Sequence, residues 1–568
     1  MEQETVLHIE GTVEQVLYRN EQNGYTVLDL DANGTLITVV GELGDVEEGE
    51  QLSVDGTYVN HVRFGVQFQA QYVERKLPED AINIQRYLSS GVIKGIGSAL
   101  AKKIVTAFGS QTLEIMEKQP TRLMEIRGIS PKKCETIAQE VQKIFALRSL
   151  MLFLQQYNIR SRYAMRAYQC YGSGAKEMIL ANPYLLCGMG IELPFEKAEL
   201  LADDLKVPKN AEQRILAGTC YILEHNTHNG YTCLPLDRLQ PKVCEYLQVS
   251  ESEFLSAYQA AQKEGNLVSY QKETREFVYL PAYYEAEQYI ADRIGVLRDF
   301  SAPEDQEIYL DLIKREETEQ GIQYAELQRK AILSALSRGL LILTGGPGTG
   351  KTTTLNGMIS LFEKQGYQVM LAAPTGRAAQ RISDLTGYEA KTIHRLLEVE
   401  FDMAGATKFR HNESNPLTCD VMIVDEMSMV DVLLFESLLR ALRFSCKLIM
   451  VGDSDQLPSV GAGNVLKDLI DSGQVPVVAL NQIFRQAQQS CIVTNAHRII
   501  TGNYPDLQQK QSDFFFFQRL KTEDATQLIL DLVKTRLPNA YHYHPMDDIQ
   551  VITPSRKGLL GVIELNRR

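Results

Sequence analysis

The fold of the central part of this 568-residue chain is decided by the stretch Gly345-Gly346-Pro347-Gly348-Thr349-Gly350-Lys351-Thr352. It fits the pattern GxxxxGK[ST], it follows an apolar run at residues 340–343, and it leads into a helical pattern. Glycines let backbone N–H groups crowd around an anion, and the N-terminus of the next helix adds positive potential. The sequence therefore predicts a phosphate-binding loop between a strand and a helix. Its expected nucleotide contacts are Gly346, Pro347, Gly348, Thr349, Gly350, Lys351, Thr352 and Thr353.

Further apolar runs alternate with helical patterns on both sides of an acidic pair: residues 369–372, 421–424 and 447–451. Continuous apolar strands separated by helices are typical of a parallel sheet that is covered on both faces. The acidic pair, Asp425 and Glu426, comes directly after one of these strands. Behind a phosphate loop, this arrangement predicts that Thr352 and Asp425 hold Mg²⁺ and that Glu426 activates water. Lys351 should contact the β- and γ-phosphates, so ATP and Mg²⁺ are the expected cofactors.

Composition limits the class of protein. The chain is 44% hydrophobic and 23% charged, which is typical of an ordinary globular protein of several domains. Its nine cysteines form no CxxC pair, so neither a zinc site nor a redox site is indicated. The net charge of −14 counts against nucleic-acid binding only if it is taken alone, because phosphate binding needs a local basic track. No apolar run approaches the roughly 20 residues that span a bilayer. We expect a cytoplasmic protein without membrane contacts.

The N-terminal region, residues 1–78, has the pattern of short β-strands. Hydrophobic and polar residues alternate at 12–17 and 35–40, and Asn-Gly pairs at 23–24 and 33–34 mark turns. About five such strands predict a small OB-like β-barrel. Barrels of this kind bind single strands or serve as scaffolding, and the sequence leaves both interpretations open.

Residues 79–205 predict a helical domain with tandem helix-hairpin-helix units. In the first, a Gly-Ile-Gly turn at residues 95–97 exposes backbone N–H groups to a DNA phosphate. The second copy, at residues 126–133, departs from the pattern because Ser130 replaces the second glycine, which puts its phosphate contact in doubt. A third, weaker helical pair spans residues 182–205. Such turns also serve protein contacts. The expected DNA contacts are Gly95, Gly97, Lys102, Lys103 and Gly128.

Six motifs around the phosphate loop occur in a fixed order: Leu327-Gln328-Arg329-Lys330, Ala373-Pro374-Thr375-Gly376-Arg377-Ala378-Ala379, Thr392-Ile393-His394-Arg395-Leu396-Leu397, Asp425-Glu426-Met427-Ser428-Met429-Val430-Asp431, Val451-Gly452-Asp453-Ser454-Asp455-Gln456-Leu457-Pro458-Ser459-Val460-Gly461 and Leu480-Asn481-Gln482-Ile483-Phe484-Arg485-Gln486. In this order the sequence resembles superfamily 1 helicases, and among them the RecD-like group with a long N-terminus that moves 5′ to 3′. The resemblance covers nearly the whole chain, and the core motifs are its most specific part.

The resemblance implies roles for individual residues. Gln328 should recognise adenine, Gln456 should sense the γ-phosphate, and Arg485 should act as an arginine finger from a second core. Short hydroxyl and backbone donors just past a strand's carboxyl end can grip phosphates without recognising bases. The expected strand-binding residues there are Pro374, Thr375, Arg377, His394 and Arg395.

The resemblance also implies a multidomain architecture. A hairpin at residues 401–409 is expected to act as a strand-splitting pin, with a mobile surface loop as the alternative. The last two motifs of the family's ATPase are not found before Arg568, so we expect a C-terminally truncated chain that hydrolyses ATP poorly and does not unwind DNA. The expected domains are an OB-like barrel at 1–78, a tandem helix-hairpin-helix domain at 79–205, a helical or winged-helix-like connector at 206–315, a first RecA-like P-loop core at 316–478 with a hairpin insert at 398–418, and the start of a second RecA-like core at 479–568.

The function implied is that of an ATP-dependent 5′-to-3′ DNA helicase in DNA repair or recombination. It should act as a monomer on single-stranded DNA and on junctions between duplex and single strand. Two alternatives stay open: a DNA-binding clamp that ATP regulates, and a subunit of a helicase–nuclease complex. The long N-terminal region with its own DNA-binding hairpins favours a protein that acts alone.

Overall fold

The structure of the protein is a computed structural model. It describes residues 7–20, 25–32, 34–43, 46–61, 64–188, 190–299, 306–401, 407–481, 490–508 and 513–568. Arg485, the expected arginine finger, lies outside the described residues, as does the turn of the expected hairpin at 402–406.

Five strands at the N-terminus close into a barrel with the order β1-β2-β3-β5-β4, in which β3 and β5 pair in parallel and the other pairs are antiparallel. Alternate residues such as Val13, Leu28 and Phe68 fill its interior. The predicted small N-terminal barrel is confirmed. The strands are β1 (Leu7–Arg19), β2 (Tyr25–Ala32), β3 (Thr35–Glu42), β4 (Gln51–His61) and β5 (Gly65–Lys76).

A helical region follows, as predicted. Its first helix begins where the Asp80 side chain accepts hydrogen bonds from the backbone N–H groups of Ile82 and Asn83, which satisfies two free donors of the first turn. Short 3₁₀ turns connect several helices, including Pro120–Glu125 and Pro183–Cys187. The helices are α1 (Ala81–Ser89), α2 (Ser98–Phe108), α3 (Thr112–Lys118), α4 (Pro131–Gln155), α5 (Ser161–Tyr171), α6 (Ala175–Ala181) and α7 (Phe195–Asp204).

The next segment has the element order of a winged helix. Three helices surround a small antiparallel sheet with the strand order β6-β8-β7, and Phe254 and Val278 are buried where helix and sheet meet. The elements are α8 (Glu212–Thr227), β6 (Cys233–Pro235), α9 (Leu236–Leu247), α10 (Glu251–Lys263), β7 (Val268–Lys272) and β8 (Arg275–Tyr279).

Two helices, α11 (Pro281–Asp299) and α12 (Gln306–Gln320), connect this segment to the central sheet. The Arg293 guanidinium of α11 donates through Nη2 to the carbonyl oxygens of Leu442 (2.9 Å) and Arg443 (2.8 Å). Its Cζ also lies 4.0 Å from the ring centroid of Phe444. The connector is therefore fixed to the central domain by a buried cation that satisfies backbone acceptors.

The central domain is a six-stranded parallel sheet with the order β11-β10-β14-β15-β9-β16. Successive residues of each strand point to opposite faces: Leu340 and Ile342 pack on one side, whereas Leu341 and Leu343 pack on the other. The strands are β9 (Leu340–Gly345), β10 (Val369–Ala373), β11 (Ala390–Thr392), β14 (Val421–Val424), β15 (Lys447–Gly452) and β16 (Val477–Leu480). The covering helices are α13 (Glu326–Ser337), α14 (Lys351–Lys364), α15 (Gly376–Thr386), α16 (Ile393–Leu397), α17 (Val432–Ala441) and α18 (Val465–Asp471). The predicted parallel P-loop core is confirmed.

A small antiparallel pair leaves this sheet after α16: β12 (Val399–Phe401) and β13 (Thr407–Phe409). The Glu398 carboxylate accepts from Arg410 Nη1 at 2.8 Å and secures the base of the pair. The pairing is the one that a hairpin at this position requires.

The chain then continues beyond the first sheet. Among the described residues from 490 onward there are helices but no strand, so the predicted incomplete second core is represented by helices alone. They are α19 (Cys491–Ile500), α20 (Thr522–Asp531), α21 (Leu537–Tyr541) and α22 (Val562–Arg567), with a π-helical turn at Leu532–Arg536.

Candidate ATP and DNA site

The phosphate loop lies between β9 and α14, as its sequence predicts. Two of its glycines have left-handed backbone conformations, with φ of +75° at Gly348 and +84° at Gly350. Residues other than glycine rarely adopt such conformations. The Lys351 side chain folds over the loop and donates through Nζ to the carbonyl oxygens of Gly345 and Gly346, the latter at 3.1 Å. Burial lowers the pKa of Lys351 below its usual value, while the nearby carboxylates of Asp453, Asp425 and Glu426 oppose that change.

The acidic pair lies beside this loop at the carboxyl edge of the sheet. Burial raises the pKa of Asp425, and burial followed by the negative charge of Asp425 raises the pKa of Glu426. Glu426 also has a φ of +52°, a strained conformation for a residue other than glycine. Half-buried carboxylates with raised pKa values and a strained backbone are typical of residues held for chemistry rather than for stability.

The residues present suit Mg²⁺. This cation favours oxygen ligands, needs only one or two from the protein, and keeps several waters or phosphate oxygens. Thr352 offers a hydroxyl in the first turn of α14, and Asp425 offers a carboxylate whose pKa is raised by burial, so a bound cation would stabilise its ionised form. When bound, Mg²⁺ would neutralise charge on the terminal phosphates.

Gln328 joins the entry of α13 to the phosphate loop. Its Oε1 accepts from the backbone N–H of Ala325 at 2.9 Å, and its Nε2 donates to the carbonyl oxygen of Gly350 at 3.3 Å. The residue is buried, so its amide is held rigidly next to the last glycine of the loop. This position suits the adenine-recognising role expected from the sequence.

The coupling motif follows β15 and forms a tight loop. The Gln456 backbone N–H donates to the carbonyl oxygen of Asp453 at 3.2 Å, and the Gln456 side chain is exposed. Further along, the loop packs on the end of the acidic motif: a Cβ added to Gly461 would lie 2.4 Å from Oδ2 of Asp431. The Gly463 N–H also donates to the carbonyl oxygen of Gly230 at 2.9 Å. The loop therefore touches both the acidic motif and the winged-helix segment.

The strand-binding motifs follow β10 and β11 at the carboxyl edge of the sheet, the edge at which the acidic pair also lies. Ala373 and Thr392 are register partners at the ends of β10 and β11, so the residues that follow these strands are neighbours. Thr375 caps α15 by accepting from the Ala378 N–H at 3.2 Å. Pro374 and Thr375 are half-buried, and the three cationic or titratable candidates are exposed: Arg377, His394 and Arg395.

The two helix-hairpin-helix turns have the same backbone geometry. In each turn, the isoleucine that follows the first glycine donates its N–H to the carbonyl oxygen of the isoleucine three residues earlier, at 3.1 Å. The first glycine has a left-handed backbone, with φ of +96° at Gly95 and +113° at Gly128. Gly97 and Ser130 both have extended backbones, with φ/ψ of −101°/172° and −79°/161°. Ser130 thus replaces a glycine at a position that does not require one, and Lys102 and Lys103 stand exposed behind the first turn.

Two charged residues at the ATP site have no role that the sequence pattern assigns. Asp453 is buried and acts electrostatically on Lys351. Arg381, on α15, lowers the pKa of both Asp425 and Glu426. Asp453 lies within the coupling motif, three residues before Gln456, and Arg381 follows Arg377 by one helical turn. Those spacings are the sequence signals that could have identified them.

Known families match the chain over four segments. These are the "AAA domain" at residues 328–462, the "ATP-dependent DNA helicase YrrC, OB-fold domain" at 6–78, the "SAM-like Helix-hairpin-helix tandem" at 86–143 and the "ATP-dependent RecD2 DNA helicase HHH domain" at 143–233. The match to the RecD2 HHH domain, at residues 143–233, extends past residue 205, where the sequence predicts that the helix-hairpin-helix domain ends.

Individual relatives agree with these matches. The ATP-dependent RecD2 DNA helicase of Deinococcus radiodurans is 29% identical over 581 residues, covering 98% of this chain and 77% of that protein. The RecBCD enzyme subunit RecD of Mycolicibacterium smegmatis is 44% identical over 169 residues, which is 26% of this chain and 30% of that subunit. The crystal structure of Pif1 helicase from Candida albicans covers 37% of this chain and 55% of its own at 24% identity, but its TM-score of 0.26 is too low to carry weight.

The barrel, the tandem hairpins and the P-loop core with its ordered motifs define a multidomain ATP-dependent DNA helicase. The chain belongs to the RecD2/RecD-like family of superfamily 1 helicases, which confirms the resemblance seen in its motifs. Within the described part of the chain, no helix has the length and apolar character that crossing a membrane requires.

Proposed function

We propose that the protein is a 5′-to-3′ helicase that couples ATP hydrolysis to stepping along single-stranded DNA and opens duplex at junctions, in DNA repair or recombination. The observation that carries the proposal is the single sheet edge that the nucleotide motifs share with the strand-binding motifs. Lys351 follows β9 and Asp425 follows β14, whereas Thr375 and His394 follow β10 and β11, the two neighbouring strands at one end of the strand order. A change of nucleotide state can therefore be transmitted to the DNA-binding residues through neighbouring strands.

In the proposed reaction, Lys351 leaves its loop carbonyls to contact the terminal phosphates, and Glu426 orients and deprotonates the attacking water. Gln328 holds the adenine, Gln456 senses the γ-phosphate, and Arg485 supplies positive charge in the transition state. Thr352 and Asp425 would hold Mg²⁺. The ionised form of Glu426 is the one that acts, and Arg381 and Lys351 favour that form.

In the proposed DNA path, the N-terminal hairpins form a second DNA-binding site. Their exposed turns and the lysines beside them can contact DNA phosphates without recognising sequence. We assign the domains as expected from the sequence, with the barrel at 1–78, the hairpins at 79–205, the connector at 206–315 and the two cores from 316 and 479, except that β16 (Val477–Leu480) pairs with β9 and so belongs to the first core. We expect a monomer.

A second candidate function is a subunit role in a helicase–nuclease complex. It is favoured by the similarity of the core to RecD subunits of RecBCD enzymes. The similarity to the RecD subunit of Mycolicibacterium smegmatis covers 26% of the chain, whereas the barrel and hairpins match models of helicases from the YrrC and RecD2 groups. These N-terminal domains favour a protein that acts alone.

Directional movement is tested with single-stranded DNA that carries biotin and streptavidin at one end. We expect ATP-dependent displacement of streptavidin from the 3′ end and little from the 5′ end. The matched control is Glu426→Gln, which keeps the shape of the side chain and removes the base. Displacement from the 5′ end alone would contradict the direction, and ATP-dependent DNA retention without displacement would favour the clamp.

A further inference from the structure

A histidine from the segment beyond the first sheet lies against the phosphate loop. His497 is on α19, and a Cβ added to Gly346 would lie 3.4 Å from its Cε1 and 3.6 Å from its Nε2. Gly346 is a residue of the loop whose backbone is expected to surround the phosphates. The imidazole edge therefore lies against a residue of the proposed nucleotide site.

The Nε2 atom of His497 is buried and has no hydrogen-bond partner among the residues that the structure describes. Buried polar atoms nearly always have a partner, because leaving one unsatisfied costs free energy. The hydrogen bonds that Thr501 donates to His497 reach its backbone carbonyl, so they do not satisfy the ring. The Nε2 atom faces a loop built to hold an anion, so a ligand atom is the partner that fits.

The position of Lys351 indicates which part of the ligand this is. Its Nζ donates to the carbonyl oxygen of Gly346, the same residue that His497 approaches. Bound phosphate oxygens would attract Nζ away from that carbonyl, and they would then lie within reach of Nε2. An imidazole N–H is a suitable donor to a phosphate oxygen.

We propose that His497 donates a hydrogen bond to the terminal phosphate of a bound nucleoside triphosphate, so that α19 responds to the presence of that phosphate. This inference rests on the proposed ATP site. It makes His497 a contact through which the segment after the first sheet distinguishes triphosphate from diphosphate.

The test uses the chain of residues 1–568 and two Mg²⁺-containing probes, a fluorescent ADP and a fluorescent β,γ-imido analogue of ATP. His497→Leu keeps most of the side-chain volume and removes the nitrogen. We expect this variant to bind the triphosphate analogue about 10-fold or more weakly, because it cannot make a hydrogen bond to the charged phosphate. Affinity for ADP should stay unchanged. His497→Gln places an amide N–H near the position of Nε2 and should restore part of the affinity for the triphosphate.

The matched control is Ile499→Ala, an exposed position on the same helix, which should bind both probes as the unaltered chain does. Equal affinity of His497→Leu and the unaltered chain for the triphosphate would overturn the inference. Equal losses for both probes would also overturn it, because they indicate a packing role. If the unaltered chain binds neither probe, the proposed ATP site fails along with the inference. Melting temperatures measured for every variant identify a loss that is due to unfolding.

Discussion

The central sheet and the segment after it differ in how they bury apolar side chains. In the sheet domain, both faces are covered, and residues such as Phe362 and Phe435 are fully buried. Among the described residues from 490 onward, no hydrophobic side chain is buried, and Phe516 and Ile552 are 54% and 89% exposed. The sheet domain is therefore a complete platform for the proposed nucleotide site, whereas the described part of the following segment makes individual contacts with that platform, such as the contact of His497 with Gly346.

The largest effect expected concerns the platform itself. Lys351→Ala should reduce ATP hydrolysis by about 10²-fold or more, because it removes a preorganised charge from the phosphate site. The fold should be preserved, since the hydrogen bonds of Nζ go to carbonyl oxygens of the loop. DNA-stimulated phosphate release measures the effect, and Lys330→Ala, on the surface of α13, is the control. A folded Lys351→Ala protein with normal hydrolysis would show that the nucleotide is not held by the first core.

The comparison of packing can be tested directly with two phenylalanines. Phe435→Ala should lower the free energy of unfolding by about 3–5 kcal/mol, because it leaves a cavity in the core beneath the sheet. Phe516→Ala should change it by less than about 0.5 kcal/mol, because the ring is half exposed. Urea unfolding of the two variants provides the measurement. Similar losses for both would mean that residues from 490 onward are packed as tightly as the sheet.

DNA affinity should depend on regions outside the platform. Replacing Lys102 and Lys103 with alanine should weaken duplex binding uniformly across sequences, and the slope of affinity against salt should fall by about 0.9 for each phosphate that is no longer neutralised. The double change of Lys132 and Lys133 tests the second hairpin turn, which has the same backbone geometry but whose lysines follow its glycine by four and five residues instead of seven and eight. Binding titrations at several salt concentrations measure both. A weakening restricted to one DNA sequence would contradict binding through the backbone, and unchanged binding would favour a protein-binding role.

The smallest effect expected is on pH dependence. Glu426 must be ionised to act as a base, and its raised pKa means that hydrolysis should fall on the acid side at a pH above the usual glutamate value. Arg381 lowers that pKa, so Arg381→Gln should move the fall to still higher pH, whereas Arg381→Lys should retain most of the original profile. Rates of hydrolysis measured across pH without DNA test this. An identical profile for the glutamine variant would remove Arg381 from the electrostatics of the site.

Much of the sheet could be predicted because each strand is a continuous apolar run followed by a motif. The runs at 340–343 and 421–424 correspond to β9 and β14 almost residue for residue. The order of the strands in the sheet could not be predicted from the sequence. Val477–Leu480 pairs with β9 inside the first sheet, although the sequence assigns the end of this strand to the beginning of the second core. Such pairing depends on tertiary contacts between distant segments rather than on local pattern.

The positions of Lys351 and Asp425 at one edge of the sheet could be predicted, because their residue types and spacing follow known strand-end motifs; their roles stay a prediction. Asp453 and Arg381 have only a spacing to motif residues as their sequence signal, and that spacing implies no single chemistry, because their effect on Lys351 arises only when separate segments meet at one edge of the sheet. His497 gives no sign in the sequence of its contact with the loop, since 151 positions separate it from Gly346. Residues that act across a fold leave little signal in the sequence.

The paired hairpin turns have a consequence for how such units are detected and how they evolve. Only the first glycine of the turn has a left-handed backbone, and a Cβ at Gly97 would meet no atom within 4 Å. A search pattern that demands glycine at the second position would count one hairpin in this chain and overlook the one that contains Ser130. Position 97 should accept small side chains in a mutational scan, whereas position 95 should reject them. Duplicated hairpins can therefore change the residue at the position of the second glycine while the backbone of the turn keeps its conformation.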